Sequence, residues 1–118
     1  MQMINFYILG IAFILMHEMD AIRCREWRIF PGLSYIKNDK AGLIVFIFLH
    51  VPLFYWIMLE THLNSEKFRM GFDYFLIVHF ILHLLFLMHR KNEFKDWVSW
   101  TIITGAGLSG FLDLITTG

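Results

Sequence analysis

The 118 residues carry ten Lys and Arg against ten Asp and Glu, so the formal net charge is zero and no bulk attraction to nucleic acid is implied. Hydrophobic residues make up 58% of the chain and aromatic residues 18%, with a mean hydropathy of +0.58. That exceeds the roughly 45–50% apolar content of soluble domains, and the single cysteine, Cys24, excludes an internal disulfide.

The apolar residues come in blocks, and a membrane-crossing helix needs about 20 of them. The first block runs from Met3 to Ile22. No basic residue precedes it and no small-x-small cleavage site follows it, so it reads as a retained span rather than a signal peptide. The linker from Arg23 to Lys40 carries two turn signals, Pro31-Gly32 and Asn38-Asp39. Span two is Ala41 to Leu59, with Pro52 beside His50; the proline removes a hydrogen bond to the Phe48 carbonyl and predicts a kink. A polar linker leads to span three, Met70 to Met88, with Asp73 near its outer start. The short third linker, His89 to Glu93, precedes span four, Trp97 to Ile115. Trp97 and Trp100 suit an interfacial belt there, and Ala106 with Gly110 forms a small-xxx-small pair for helix packing.

The expected fold is all-α: one domain over residues 1–118, an integral membrane four-helix bundle in up-down antiparallel order. Nearly uninterrupted apolar runs leave too little polar face for a soluble bundle. Linkers one and three hold Arg23, Arg25, Arg28, Lys37, Lys40, Arg90, Lys91 and Lys95, against Lys67 and Arg69 on the other side. The positive-inside rule then places linkers one and three in the cytoplasm and both termini outside, in a cell inner membrane. The arginines after span one read as topology signals and contacts for anionic lipid. Arg25, two turns from Glu18 in helical phase, offers that carboxylate a pairing partner.

Ionisable residues inside hydrocarbon are functional candidates. His17, His50, His79 and His83 all fall within spans, and two carboxylates, Glu18 and Asp20, follow His17 directly. At about 1.5 Å of rise per residue these six share a layer in the middle-to-cytoplasmic half of the bilayer. Asp113 lies roughly 15 Å from that layer and is left out of it. His79 and His83, at i and i+4, project from one helix face, a spacing that lets two imidazoles hold one metal. His17 and Asp20, at i and i+3, also share a face, whereas Glu18 points about 100° away. Cys24 reads as an unreactive interfacial residue, with ligation at the cytoplasmic mouth as the alternative. His62 and His89 read as interfacial.

Imidazole with carboxylate suits zinc, iron or another divalent transition metal, and helix bundles hold metals with ligands projecting inward. The expected ligands are His17, Asp20, His50, His79 and His83, with Glu18 as a catalytic base on metal-bound water. A closed ligand set with an outer carboxylate and a two-metal site remain open readings. Haem held between His50 and His79 or His83 is the competing cofactor.

The phrase His17-Glu18-Met19-Asp20-Ala21, followed by Arg23 and Glu26-Trp27-Arg28, resembles the signature of small four-span bacterial membrane proteins of a family of unknown function. Through the span pattern and later histidines, the resemblance covers nearly the whole chain. It implies an inner-membrane protein and supplies no activity. His79-x-x-x-His83 also resembles one histidine box of membrane di-iron hydroxylases and desaturases, although no H-x-x-H-H stretch occurs.

The leading functional expectation is a membrane metalloprotein, an enzyme acting on a membrane-soluble small molecule. The rival classes are a divalent-cation or proton transporter, a haem-binding bundle, and a structural subunit with a polar core. The lipid bilayer is the expected partner. Homo-oligomerisation is expected from the limited interior of four short helices and the small-residue face of span four.

Overall fold

A computed structural model describes residues 5–117, which contain four long helices and no strand. Helix α1 is Phe6–Arg23, α2 is Asp39–His62, α3 is Glu66–Phe86 and α4 is Trp97–Thr117. The predicted start of span one at Met3 lies outside the described residues. Short polar side chains set each helix start by accepting a free amide of the first turn. Asn5 accepts from Ile8 N at 3.0 Å, Asn38 from Ala41 N at 3.1 Å, Ser65 from Phe68 N at 3.2 Å, and Asp96 from Ser99 N at 2.9 Å. Asn38-Asp39 is thus a helix start rather than the predicted turn, with the Asp39 carboxylate in the first turn where the helix dipole favours it. Polar caps also extend α3 a turn upstream of the predicted Met70, to Glu66, and it ends at Phe86 rather than Met88.

The first linker is more structured than its turn signals implied. After α1 the backbone reverses at Arg25, in the left-handed region at φ 53°, and enters a 3₁₀ turn over Glu26–Arg28. Gly32, at φ +92°, leads into a second turn over Leu33–Tyr35. The indole of Trp27 donates to Asp39 Oδ1 at 2.8 Å, which pins the linker to the start of α2. Arg28 forks onto the same carboxylate through Nε at 2.9 Å and Nη2 at 2.8 Å.

Helix α4 packs against both α1 and α3, while α2 leans chiefly on the turn after α1. Close approach of α3 and α4 requires glycine. A Cβ at Gly110 would stand 2.7 Å from the Asp73 carbonyl oxygen, and one at Gly107 would stand 3.0 Å from the Phe80 Cβ. Gly110, one of the small residues predicted for packing, therefore faces α3 together with Gly107, while Gly105 faces Phe13 of α1. One apolar cluster forms at the linker end around Trp27, Phe46, Phe94 and Ile103. Another forms at the opposite end around Tyr7, Ile57, Phe72 and Leu76.

Among the described residues three helices, α2, α3 and α4, are long and apolar enough to cross a membrane. Helix α1, whose predicted span begins outside the described residues, carries Glu18, Asp20 and Arg23 in its last turns. Those charges are turned to partners within the protein: Glu18 to His50, Asp20 to Arg23 and Ser99. Elsewhere the surface is strongly apolar, with Phe48 at 69% exposed and Val51 at 67% on α2.

Candidate metal centre

His17 on α1 and His79 and His83 on α3 meet in the interior, at 0%, 8% and 1% exposure. Their ring centroids lie 4.3 Å apart for His17–His79, 4.8 Å for His17–His83 and 4.5 Å for His79–His83. One donor atom from each falls within 4.8 Å of the others, so the three imidazoles could hold a metal ion. The i, i+4 spacing on α3 contributes two of them from one face, as the sequence implied. Phe94, fully buried, stacks on His17 at 5.4 Å and meets His83 edge-on at 4.6 Å. Phe75 lies 5.7 Å from His79. The cluster is thus walled by aromatic rings.

Hydrogen bonding distinguishes the three. His17 Nε2 lies 3.1 Å from Glu26 Oε2. A carboxylate only accepts, so Nε2 carries the proton and donates it, which leaves the Nδ1 lone pair free. That Nδ1 and both ring nitrogens of His79 and His83 are buried without a partner among the described residues. A buried polar atom without a partner costs about 1–3 kcal/mol. An ion taking one nitrogen from each ring would satisfy three of the five. Glu26 would then act as the outer carboxylate that fixes the ring and tautomer of a metal-binding histidine.

His50 and Asp20, both expected as ligands, are engaged elsewhere. His50 Nδ1 donates to the Phe46 carbonyl at 2.6 Å, and its Nε2 is hydrogen-bonded to Glu18 Oε2. Asp20 Oδ1 accepts from Arg23 Nε at 2.7 Å, and Oδ2 accepts from Ser99 Oγ at 2.5 Å. Rotation about the helix axis, which depth along the chain does not fix, turns His50 to Glu18 on α1. Glu18 sits beside His17 in sequence yet points to α2, as its 100° offset implied. Arg25, considered as its partner, has left the helix at the left-handed corner.

Glu26 was not foreseen as part of the centre, since it lies beyond the end of α1. Its sequence signal was the neighbouring Trp27, followed by Ile29, Phe30 and Leu33, apolar residues in a linker that mark a packed turn. Arg23 also bonds Asp96 through Nη1 at 3.0 Å and Nη2 at 3.2 Å, joining linker one to the start of α4. The guanidinium holds the Asp96 carboxyl well below the usual range, at about 2. Two of the three arginines at the end of α1 and in the turn after it, Arg23 and Arg28, are therefore committed to internal ion pairs. The Cys24 thiol is buried, 3.8 Å from Asp20 Oδ2 and 3.5 Å from Ser99 Oγ. Asp113, left out on grounds of depth, does lie apart from the histidines, bonded to Arg69.

No curated protein and no solved structure matches the chain. Residues 3–118 match a family described as "Family of unknown function (DUF6713)", in keeping with the resemblance to a family without an assigned activity. The chain belongs to that family, DUF6713.

Proposed function

We propose that this chain is an integral membrane metalloprotein in which His17, His79 and His83 hold one divalent transition metal, zinc or iron, within the bilayer. Four helices span it, with linkers one and three cytoplasmic and both termini outside. The pairing of Glu18, Asp20 and Arg23 inside the protein supports α1 as the fourth span, because paired charges need not face lipid. The observation that carries the metal reading is the convergence of five buried imidazole nitrogens that have no protein partner among the described residues.

Three imidazoles leave a coordination position open for water or substrate, the arrangement of catalytic rather than structural zinc. A bound metal would supply Lewis acidity and an activated water. Glu26 orients His17 for that role. Glu18, hydrogen-bonded to His50, is the proposed proton acceptor on the α2 side. The pair lines a cleft of about 220 Å³ with Leu15, Met19, Ile22, Ile47 and Phe54. That lining suits a membrane-soluble substrate. Burial of the histidines behind Phe94 favours an ion that is retained over one that is carried. Both ring nitrogens of His50, one half of the expected haem pair, are taken by the Phe46 carbonyl and by Glu18, which favours a discrete ion at the other three histidines over haem.

Elemental analysis of the detergent-purified protein tests the proposal. One zinc or iron per chain, lost in His83→Ala, is the expected result. Far less than one metal per chain after gentle purification, with no uptake of added zinc or iron, would overturn it.

A further inference from the structure

Linkers one and three meet at one end of the bundle and enclose a cavity of about 610 Å³. Four cations line it, Arg28 and Lys37 from linker one and Arg90 and Lys91 from linker three. The carboxylates in the lining are Asp39 and Glu93. Both are turned onto Arg28, with Nη2 at 2.8 Å from Asp39 Oδ2 and Nη1 at 3.6 Å from Glu93 Oε2. Arg28 thus stitches the two linkers together. Four cations against two carboxylates leave the lining with two positive charges in excess.

Hydrogen bonds fix both walls. Asn92 is buried, accepts from Phe94 N at 3.2 Å and donates to the Phe94 carbonyl at 3.5 Å. Its own amide donates to the His89 carbonyl at 3.1 Å, and the Lys91 amide donates to His89 Nδ1 at 3.1 Å. This closed turn carries Arg90 and Lys91, both exposed, on one side of the cavity. On the other side the Ile36 amide donates to the Leu33 carbonyl at 3.0 Å, which sets Lys37 directly before the Asn38 cap of α2. The positive end of the α2 dipole lies at that same wall. A concave site with a surplus of one charge sign focuses its field on an ion of the other sign.

We propose that this cavity binds a phosphate-bearing anion, held by Lys37, Arg90 and Lys91, with Arg28 as the fixed wall between the linkers. Arginine grips phosphate oxygens through its planar fork and lysine as a point charge, so the set suits phosphate. The Ser34 hydroxyl lines the same cavity and adds a neutral donor. The site rests on the two linkers alone and is independent of any metal at the histidines. Its ligand is either the phosphate of a lipid headgroup or a soluble phosphate compound, since the same side chains recognise both.

Two binding measurements on the full-length protein in detergent test this. In one, inorganic pyrophosphate is titrated by calorimetry. In the other, phosphatidic acid or phosphatidylserine is added and the retained lipid is counted by native mass spectrometry. Saturable pyrophosphate binding supports the site with a soluble ligand, and retention of phosphatidic acid over phosphatidylserine supports it with a headgroup phosphate. Arg90→Gln and Lys91→Gln should each weaken binding about tenfold, the loss of one charge-assisted contact. Lys67→Gln, at the start of α3, should leave it unchanged. The substituted side chains are exposed, and helix content with metal content on the same samples separates failure of this site from failure of the fold or of the histidine centre. Absence of saturable binding of either probe, or binding that survives in the triple variant Lys37→Gln, Arg90→Gln, Lys91→Gln, would overturn the proposal. Equal weakening by Lys67→Gln, or phosphatidylserine held as tightly as phosphatidic acid with no pyrophosphate bound, would also overturn it, by reducing the cavity to general surface charge.

Discussion

Helices α2 and α4 are both long enough to cross a membrane, yet the protein uses them in opposite ways. In α2 an 18-residue stretch has a mean hydropathy of 2.2 and only 17% of that stretch is buried. In α4 the corresponding stretch has a mean hydropathy of 1.4 and 44% of it is buried. In water the order would be reversed, because apolar surface drives burial. In lipid the tails are as apolar as the side chains, so association rests on close packing and polar contacts. Helix α4 supplies both, through Ala106, Gly107 and Gly110 and through Ser99 and Asp113. Helix α2 supplies greasy surface and two histidines, His50 and His62, both outside the metal cluster.

The largest test of this division is metal content. His79→Ala or His83→Ala should reduce bound metal per chain at least about tenfold, since each removes one of three ligands. His50→Ala should leave it unchanged. Equal loss in His50→Ala would make α2 part of the centre and erase the contrast. Glu26→Ala sharpens the boundary of the site, because it removes the partner of His17 without removing a ligand. Metal affinity, read by competition with a chelating dye, should fall about 10–100-fold.

Packing gives the next effect. Gly110→Ala forces a methyl against the Asp73 carbonyl oxygen and should cost about 1–3 kcal/mol, measured by unfolding in detergent. Gly71→Ala, on α3 with open space around it, should be neutral or stabilise by up to about 1 kcal/mol. If the two substitutions behave alike, α3 and α4 do not pack as described.

The smallest effect belongs to the exposed pair at the start of α4. Arg23 lowers the Asp96 carboxyl to about 2 in the folded protein, against about 3.9 for a free aspartate. A group with a depressed folded value adds stability above its unfolded value and loses it as pH falls toward the folded one. The wild-type melting temperature should therefore drop toward that of Asp96→Asn between about pH 4 and about pH 2, with asparagine still able to cap the helix. A constant difference across that window would remove the ion pair from the account.

The helices were legible because unbroken apolar runs have few other solutions, whereas apolarity alone misses the polar caps Asn38 and Ser65 that set where α2 and α3 begin. The pairing of His79 with His83 was legible because it lies within one helix. Depth correctly placed His17 with them and kept Asp113 away. What depth could not provide was rotation of one helix against another, and this is why His50 and Asp20 were grouped with the ligands. Glu26 escaped because its approach to His17 depends on a left-handed residue, and Arg25 carries no glycine-like signal of one. Asp73 appeared interfacial from its position along the helix, whereas the crossing of α3 and α4 at Gly110 buries it.

The corner at Arg25 links the deepest part of the molecule to one of its shallowest. Glu26 grips an imidazole in the buried interior, while the next residue, Trp27, is fastened to the entrance of α2. Anything that leans on this turn from outside pulls on the ring of His17 through the same short segment. Surface events and ring orientation are in that sense one mechanical coordinate, and a change at either end is felt at the other.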